Sequence, residues 1–129
     1  MSTFDTNLWV RYLTNDDPEQ AARVVDLLRD EQSVFVPKTV LLELEWVLRA
    51  AYAIEPARIA YALRQLLGLP MVATETPEQV VFALAAFEQG LDFADALHLA
   101  AATDPPLFSF DQALVRKATE LGFAVSKVP

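Results

Sequence analysis

With 129 residues, 53% of them hydrophobic, the chain is long enough to bury a core and too apolar to be disordered. Its longest stretches without a charged residue, Gln65 to Thr74 and Gln79 to Phe87, fall far short of the roughly 20 apolar residues that a membrane span requires. Eighteen acidic against 10 basic residues leave a formal charge of −8, which argues against a broad basic surface for nucleic acid, and the lack of cysteine excludes disulfides, thiolate chemistry and cysteine-bound zinc.

The opening Met-Ser-Thr-Phe-Asp has neither a basic head nor an apolar stretch, so no secretory signal is expected and the reducing cytoplasm is the expected compartment. Thr3-Phe4 ends a first short strand, and Asp5 is placed to cap a helix after it. Ala21, Val24, Val25 and Leu28 recur at helical spacing, with Glu19, Arg23, Asp26 and Arg29 facing away. Val34-Phe35-Val36, before Pro37, reads as a second strand. A helix from Lys38 follows, with Val40, Leu44, Val47, Leu48 and Ala51 as its apolar face. Further helices are expected at Pro56–Leu67, Pro77–Gln89, Phe93–Ala102 and Gln112–Leu121, opened by first-turn prolines at Pro56 and Pro77 and stopped at Gly68, Gly90 and Gly122. Met71-Val72-Ala73, Leu107-Phe108 and Ala124-Val125 are the remaining strands. Such alternation predicts an α/β sandwich with a mostly parallel sheet. No repeat or linker interrupts it, so a single domain over residues 1–129 is expected.

Two glutamates of one predicted helix behave differently. At about 100° per residue, Glu45 shares a face with Lys38 and Arg49, and Glu45–Arg49 is a favourable i,i+4 pair, which reads as a solvated ion pair. Glu43 neighbours Thr39, Val40, Trp46, Val47 and Ala50 with no basic residue one turn away. A carboxylate on an apolar face is costly unless something distant compensates it, so Glu43 is either a site residue or one that reaches the helix edge or meets an arginine from elsewhere.

Asp92 is placed as an N-cap with Asp95 at the third helical position, and capping accounts for both. The surrounding helix, however, is apolar almost all round, which predicts burial of Asp95 near a helix start, where anions are stabilised. His98, one turn later, is expected to orient Asp95 or to sit in the core. Asp5 and Asp111 each follow a strand directly. Either alone reads as a cap, but ligands of open α/β sheets bind beyond the carboxyl ends of strands, and converging carboxylates suit the hard cations Mg²⁺ and Mn²⁺. No Ser-His-Asp or Cys-His set is available, and the three isolated glycines form no phosphate-binding loop.

Four segments together resemble a known family. Asp5-Thr6-Asn7-Leu8-Trp9-Val10-Arg11-Tyr12-Leu13, Val40-Leu41-Leu42-Glu43-Leu44-Glu45-Trp46-Val47-Leu48, Phe93-Ala94-Asp95-Ala96-Leu97-His98-Leu99-Ala100 and Ser109-Phe110-Asp111 are similar, in order, to the motifs of PIN-domain proteins of the VapC toxin type. The resemblance covers nearly the whole chain. It implies a three-layer α/β/α sandwich with five parallel strands in the order 3-2-1-4-5, which makes the first and fourth strands neighbours. It also implies a Mg²⁺- or Mn²⁺-dependent endoribonuclease with Asp5, Glu43, Asp95 and Asp111 as catalytic and metal-site residues, and Asn7 and Ser109 as supporting polar groups. A VapB-like antitoxin and a homodimer are further expectations. The sequence departs from the pattern in its very short first strand and in Ser109 for the commoner threonine, and Asp92 is a rival ligand to Asp111.

On this reading Arg11 and Lys38 are candidate contacts to the RNA backbone, the alternative being that they pair with surface acids. One rival is a catalytically silent PIN-like module that binds RNA or protein through the same surface. Another is a phosphoryl-transfer or receiver domain, whose haloacid-dehalogenase form needs an aspartate where Asn7 stands. Trp9, Trp46, Tyr52, Ile54 and Tyr61 are available for a partner groove or for the core.

Overall fold

The computed structural model describes residues 1–102, 104 and 106–129. These form two compact units, Met1–Glu75 and Thr76–Pro129, each built of helices and parallel strands.

In the first unit, β1 (Ser2–Thr3) leads through α1 (Thr6–Thr14) and α2 (Pro18–Asp30) to β2 (Val34–Val36). Then α3 (Lys38–Ala50) and α4 (Pro56–Leu67) lead to β3 (Val72–Thr74). The strands form one parallel sheet with β2 in the middle, Ser2 opposite Val34 and Val34 opposite Val72. Prolines open α2 and α4 where a missing N–H costs nothing. Each helix buries a stripe of the expected kind: Ala21, Val24 and Leu28 on α2, and Ile59, Ala60, Leu63 and Leu66 on α4. Trp9, fully buried, stacks near Phe4 at 5.2 Å and meets the edge of Tyr12 at 6.0 Å, so the first tryptophan is core. Tyr52 and Ile54 are half-buried, whereas Trp46 and Tyr61 are exposed.

The second unit begins with α5 (Pro77–Glu88) and α6 (Phe93–Ala101), which pack together around Val80, Leu84, Phe87, Phe93 and Leu97. The rings of Phe87 and Phe93 meet at 5.4 Å, tilted by 58°. After them come β4 (Leu107–Ser109), α7 (Gln112–Glu120) and β5 (Val125–Lys127). Strands β4 and β5 pair in parallel, Leu107 against Val125. Gly90 and Gly122, just past α5 and α7, take the positive φ values of 101° and 88° that a side chain resists.

The described strands pair as β1-β2-β3 and as β4-β5, which are the adjacencies 3-2-1 and 4-5 within the two units. One expectation needs correction: the apolar face of α3 is rotated from the expected one. Leu41, Leu44, Glu45 and Leu48 are buried, whereas Ala51 is exposed and Val40 and Val47 are only partly covered. The three leucines carry more apolar area than the valines and alanine, and they set the orientation of the helix.

Candidate active site

Because β1 and β2 run parallel, their carboxyl ends share one edge of the first sheet. Asp5 leaves β1 at that edge, and Pro37 leaves β2 to start α3, on which Glu43 lies one turn further in. Asp5 is exposed and caps α1, its Oδ1 accepting from the N–H of Thr6 at 2.8 Å. Its Oδ2 has no hydrogen bond among the described residues. The cap therefore fixes the carboxylate and still leaves one oxygen open, so the capping and the ligand readings of Asp5 are compatible.

The rotation of α3 reverses the comparison between its glutamates. Glu45 is 2% exposed and is held by Arg49, whose Nε donates to its Oε2 at 2.8 Å. The pair is real, but its acid is buried among leucines and is not solvated. Glu43 lies nearly opposite the buried stripe and is exposed, so no apolar burial burdens it. Among the described residues it makes no hydrogen bond or salt bridge. The start of α3 is satisfied from a distance: the N–H of Lys38 donates to Oε1 of Glu75 at 2.6 Å, since Pro37 offers no side-chain cap. Nothing in the local sequence announces this, because Glu75 lies 37 residues away.

In the second unit three aspartates lie close in their electrostatics. Asp92 caps α6, accepting from the N–H of Asp95 through Oδ2 at 3.2 Å, as the sequence predicts. Asp95 is half-buried. Desolvation first, and then the negative charge of Asp92, raise its carboxyl above the ordinary value of 3.8; His98 opposes the shift and the charge of Asp111 adds to it. Asp111 caps α7, with Oδ1 accepting from the N–H of Leu114 at 3.0 Å, while its own N–H donates to Oγ of Ser109 at 3.0 Å. Ser109 thus shapes the turn that presents Asp111, whose Oδ2 has no hydrogen bond among the described residues. His98 is exposed and is neither core nor hydrogen-bonded to Asp95; it acts on Asp95 through its charge.

Among the supporting residues, Asn7 is exposed and lines a groove of about 570 Å³ with Leu8, Arg11, Gln20, Arg23, Val24 and Leu27 between α1 and α2. Arg11 is engaged: its Nε donates to Gln20 at 2.7 Å and its Nη1 to Asp16 and to the Tyr52 hydroxyl, each at 3.2 Å. Pairing with a surface acid is therefore what the structure shows for Arg11. Lys38 is half-buried at the start of α3. One feature escaped the sequence altogether. The Thr6 hydroxyl, buried one residue after Asp5, has no hydrogen-bond partner among the described residues.

Neither unit, among the described residues, gathers three or more His, Asp or Glu side chains into a metal-holding set by itself. The donor chemistry nevertheless fits a hard divalent cation. Asp5, Glu43, Asp95 and Asp111 offer only oxygen, none makes a salt bridge among the described residues, and Asp95 carries a repulsion that a cation would relieve. No helix among the described residues is long and apolar enough to cross a membrane.

No curated protein matches the chain. The family model of the PIN domain matches residues 3–120, crossing the division between the two units and including all four acids. The chain belongs to the PIN domain family, whose members are generally nucleases and typically use divalent metals.

Proposed function

We propose that the protein is a Mg²⁺- or Mn²⁺-dependent endoribonuclease, the VapC-like toxin of a type II toxin–antitoxin pair, with Asp5, Glu43, Asp95 and Asp111 as its metal-binding carboxylates. The observation that carries this reading is the electrostatic state of Asp95, whose carboxyl is destabilised by desolvation and by neighbouring aspartates. In a folded chain an acid is ordinarily either paired or left to solvent away from like charge, as Arg49 pairs Glu45 here. Asp95 is instead partly buried beside Asp92 and Asp111, which is costly unless a cation joins them.

Each residue has a task in this reading. The capping bonds at Asp5 and Asp111 hold those carboxylates by one oxygen and present the other. Glu43, exposed on α3, and Asp95, near the start of α6, offer both. When bound, the divalent ion supplies a lowered pKa to a coordinated water and stabilises charge on the phosphate. Ser109 fixes the approach of Asp111, and Asn7 is a neutral donor close to Asp5. The product bears a 5′-phosphate on its downstream fragment. The proposal extends to residues 1–129 as one functional domain with the strand order 3-2-1-4-5, a homodimer in the cytoplasm silenced by a VapB-like antitoxin.

The test is cleavage of single-stranded RNA by purified protein with Mn²⁺ or Mg²⁺, with and without a chelator. Cleavage that disappears on chelation and in Asp5→Asn supports the proposal; full activity of a folded Asp5→Asn protein contradicts it. The charge of −8 favours the alternative of a catalytically silent binding module, which predicts RNA or protein binding with no cleavage under any metal condition.

A further inference from the structure

A phenylalanine ring is the kind of apolar area that folding ordinarily removes from water. Phe110 is 83% exposed, more than any other large hydrophobic side chain among the described residues. Of the eight phenylalanines in the chain, Phe4, Phe87 and Phe93 are buried, and Phe82 and Phe108 are less open, at 64% and 59%. Phe110 makes no ring contact among the described residues.

Its place is nevertheless fixed. Phe110 directly follows β4, at the edge where the parallel strands β4 and β5 both end, and ligands of α/β sheets bind beyond such an edge. Ser109, the residue before it, accepts from the N–H of Asp111 through Oγ at 3.0 Å and from the N–H of Val128 through its carbonyl at 3.4 Å. Asp111, the residue after it, accepts from the N–H of Leu114 at 3.0 Å. Both flanks are thus tied to the end of β5 and the start of α7. Only the two side-chain torsions of the ring are left to order when something covers it, which keeps the entropic cost of binding low.

The neighbouring residue indicates the occupant. Consecutive Cα atoms stand about 3.8 Å apart, so a polynucleotide whose scissile phosphate is seated at Asp111 carries a base past the ring. Every base has a face that stacks on an aromatic side chain. Stacking uses that face and not the phosphate, so it needs no cation on the protein, and the negative surroundings of Asp92, Asp95 and Asp111 do not oppose it. The same carboxylates repel an acidic protein segment. An apolar protein segment finds a narrow seat, because Ser109, Asp111 and Gln112 beside the ring in the chain are all polar.

We propose that Phe110 is a substrate-binding residue on which a base of single-stranded RNA stacks, at the nucleotide beside the phosphate that is cut. The inference rests on the ribonuclease reading of the carboxylate site and extends it to how the strand is seated. Because stacking accepts any base, Phe110 supplies affinity and position and makes no choice of sequence.

The experiment measures cleavage kinetics of a single-stranded RNA 12-mer with Mn²⁺ over a range of salt concentrations. A parallel set of 12-mers carries 5-iodouridine at one position each, a base that joins covalently to a stacked aromatic ring under near-ultraviolet light, and the joined residue is located by mass spectrometry. Phe110→Ala should raise KM about tenfold with a much smaller fall in kcat, and the salt dependence of KM should keep its slope, since no phosphate contact is lost. Phe110→Tyr should restore KM. Phe110→Leu, which keeps the apolar bulk, should not, and one labelled position should join to Phe110 in the wild type. Wild-type KM in both Phe110→Ala and Phe110→Leu, while wild type cleaves, overturns this inference and leaves the ribonuclease reading standing. Wild-type KM in Phe110→Leu alone overturns it too and assigns the ring a packing role. A change of molecular mass in solution in Phe110→Ala, with KM untouched, overturns it and assigns the ring to a protein interface. A wild-type protein that cleaves no RNA with either Mn²⁺ or Mg²⁺ overturns both readings.

Discussion

Acids in the two units stand in different surroundings. In the first, Arg11 holds Asp16, Arg29 meets Asp26 and Arg49 grips the buried Glu45, so these three acids stand beside cations, while Asp5 and Glu43 make no salt bridge among the described residues. In the second, Asp92 and Asp111 act on Asp95 as like charges, and His98 is the opposing group that acts on it among the described residues. A neutralised acid stabilises the fold; an acid left beside other acids raises the energy of the empty protein and is retained for what it binds. Within the first unit, α3 repeats the contrast on a smaller scale, with Glu45 paired and buried and Glu43 exposed and unpaired.

Substitutions that separate activity from stability sharpen this comparison, and the largest effect is on activity. Asp95→Asn should lower RNA cleavage by about a thousandfold, the scale of losing a principal electrostatic group in a catalytic site. It should leave the metal-free protein at least as stable as wild type, since it removes a repelled charge. A thermal denaturation curve shifted well downward in Asp95→Asn would break the distinction. Glu43→Gln should follow the same pattern.

Next in size, Glu45→Ala should do the reverse. It empties a buried site and removes one partner of Arg49, whose side chain is 47% exposed, so the loss of stability should be about 2 kcal/mol, below the full cost of breaking a wholly buried pair. Cleavage per folded molecule should be unchanged. Urea titration and a cleavage assay on the same preparation decide between Glu43 and Glu45 as the functional glutamate.

Much of this architecture is legible in the sequence because it depends on local pattern. Helix α4 runs from Pro56 to Leu67 as the proline and the apolar spacing predict, and Asp92 caps α6 as its position requires. What is not legible is set by interactions that sequence spacing does not encode. The rotation of α3, which exchanged the roles of Glu43 and Glu45, comes from three leucines seeking the interior, and a helical wheel drawn around the valines gives a face rotated away from the true one. Glu75 at the start of α3 and Tyr52 beside Asp16 are contacts across 37 and 36 residues. For the candidate site, Asp5 and Asp111 are singled out together by family pattern, because each serves as a helix cap and a cap looks the same whether or not its second oxygen has a further use.

Metal should act on stability through the crowded acids. At a Mn²⁺ concentration about ten times its dissociation constant, linkage predicts about 1.4 kcal/mol of stabilisation, or roughly 5 °C in Tm for a chain of this size. Asp95→Asn should abolish that rise, and Glu45→Gln should keep it. Equal metal-induced shifts in both variants would remove the difference between the two classes of acid.

The smallest effect belongs to Asp16. Its hydrogen bond from Tyr52 is the main cause of a pKa lowered from 3.8, with Thr14 and Arg11 adding to it against desolvation. A depressed pKa contributes stability that is present above the unfolded value and lost as pH falls through the folded one. The stability gap between wild type and Tyr52→Phe should therefore be constant above about pH 4 and close below it, as read from denaturation midpoints. A gap that persists unchanged at pH 2 would show that the hydroxyl acts through something other than the Asp16 carboxylate.

The most direct test is Mn²⁺ binding followed by electron paramagnetic resonance, in which free ion is counted as protein is added. Wild type should remove Mn²⁺ from solution in stoichiometric amounts, while Asp95→Asn and Asp111→Asn, both folded, should leave most of it free. Wild-type protein that takes up no Mn²⁺, or folded variants that take it up as well as wild type, would contradict the assignment of these carboxylates as the metal site.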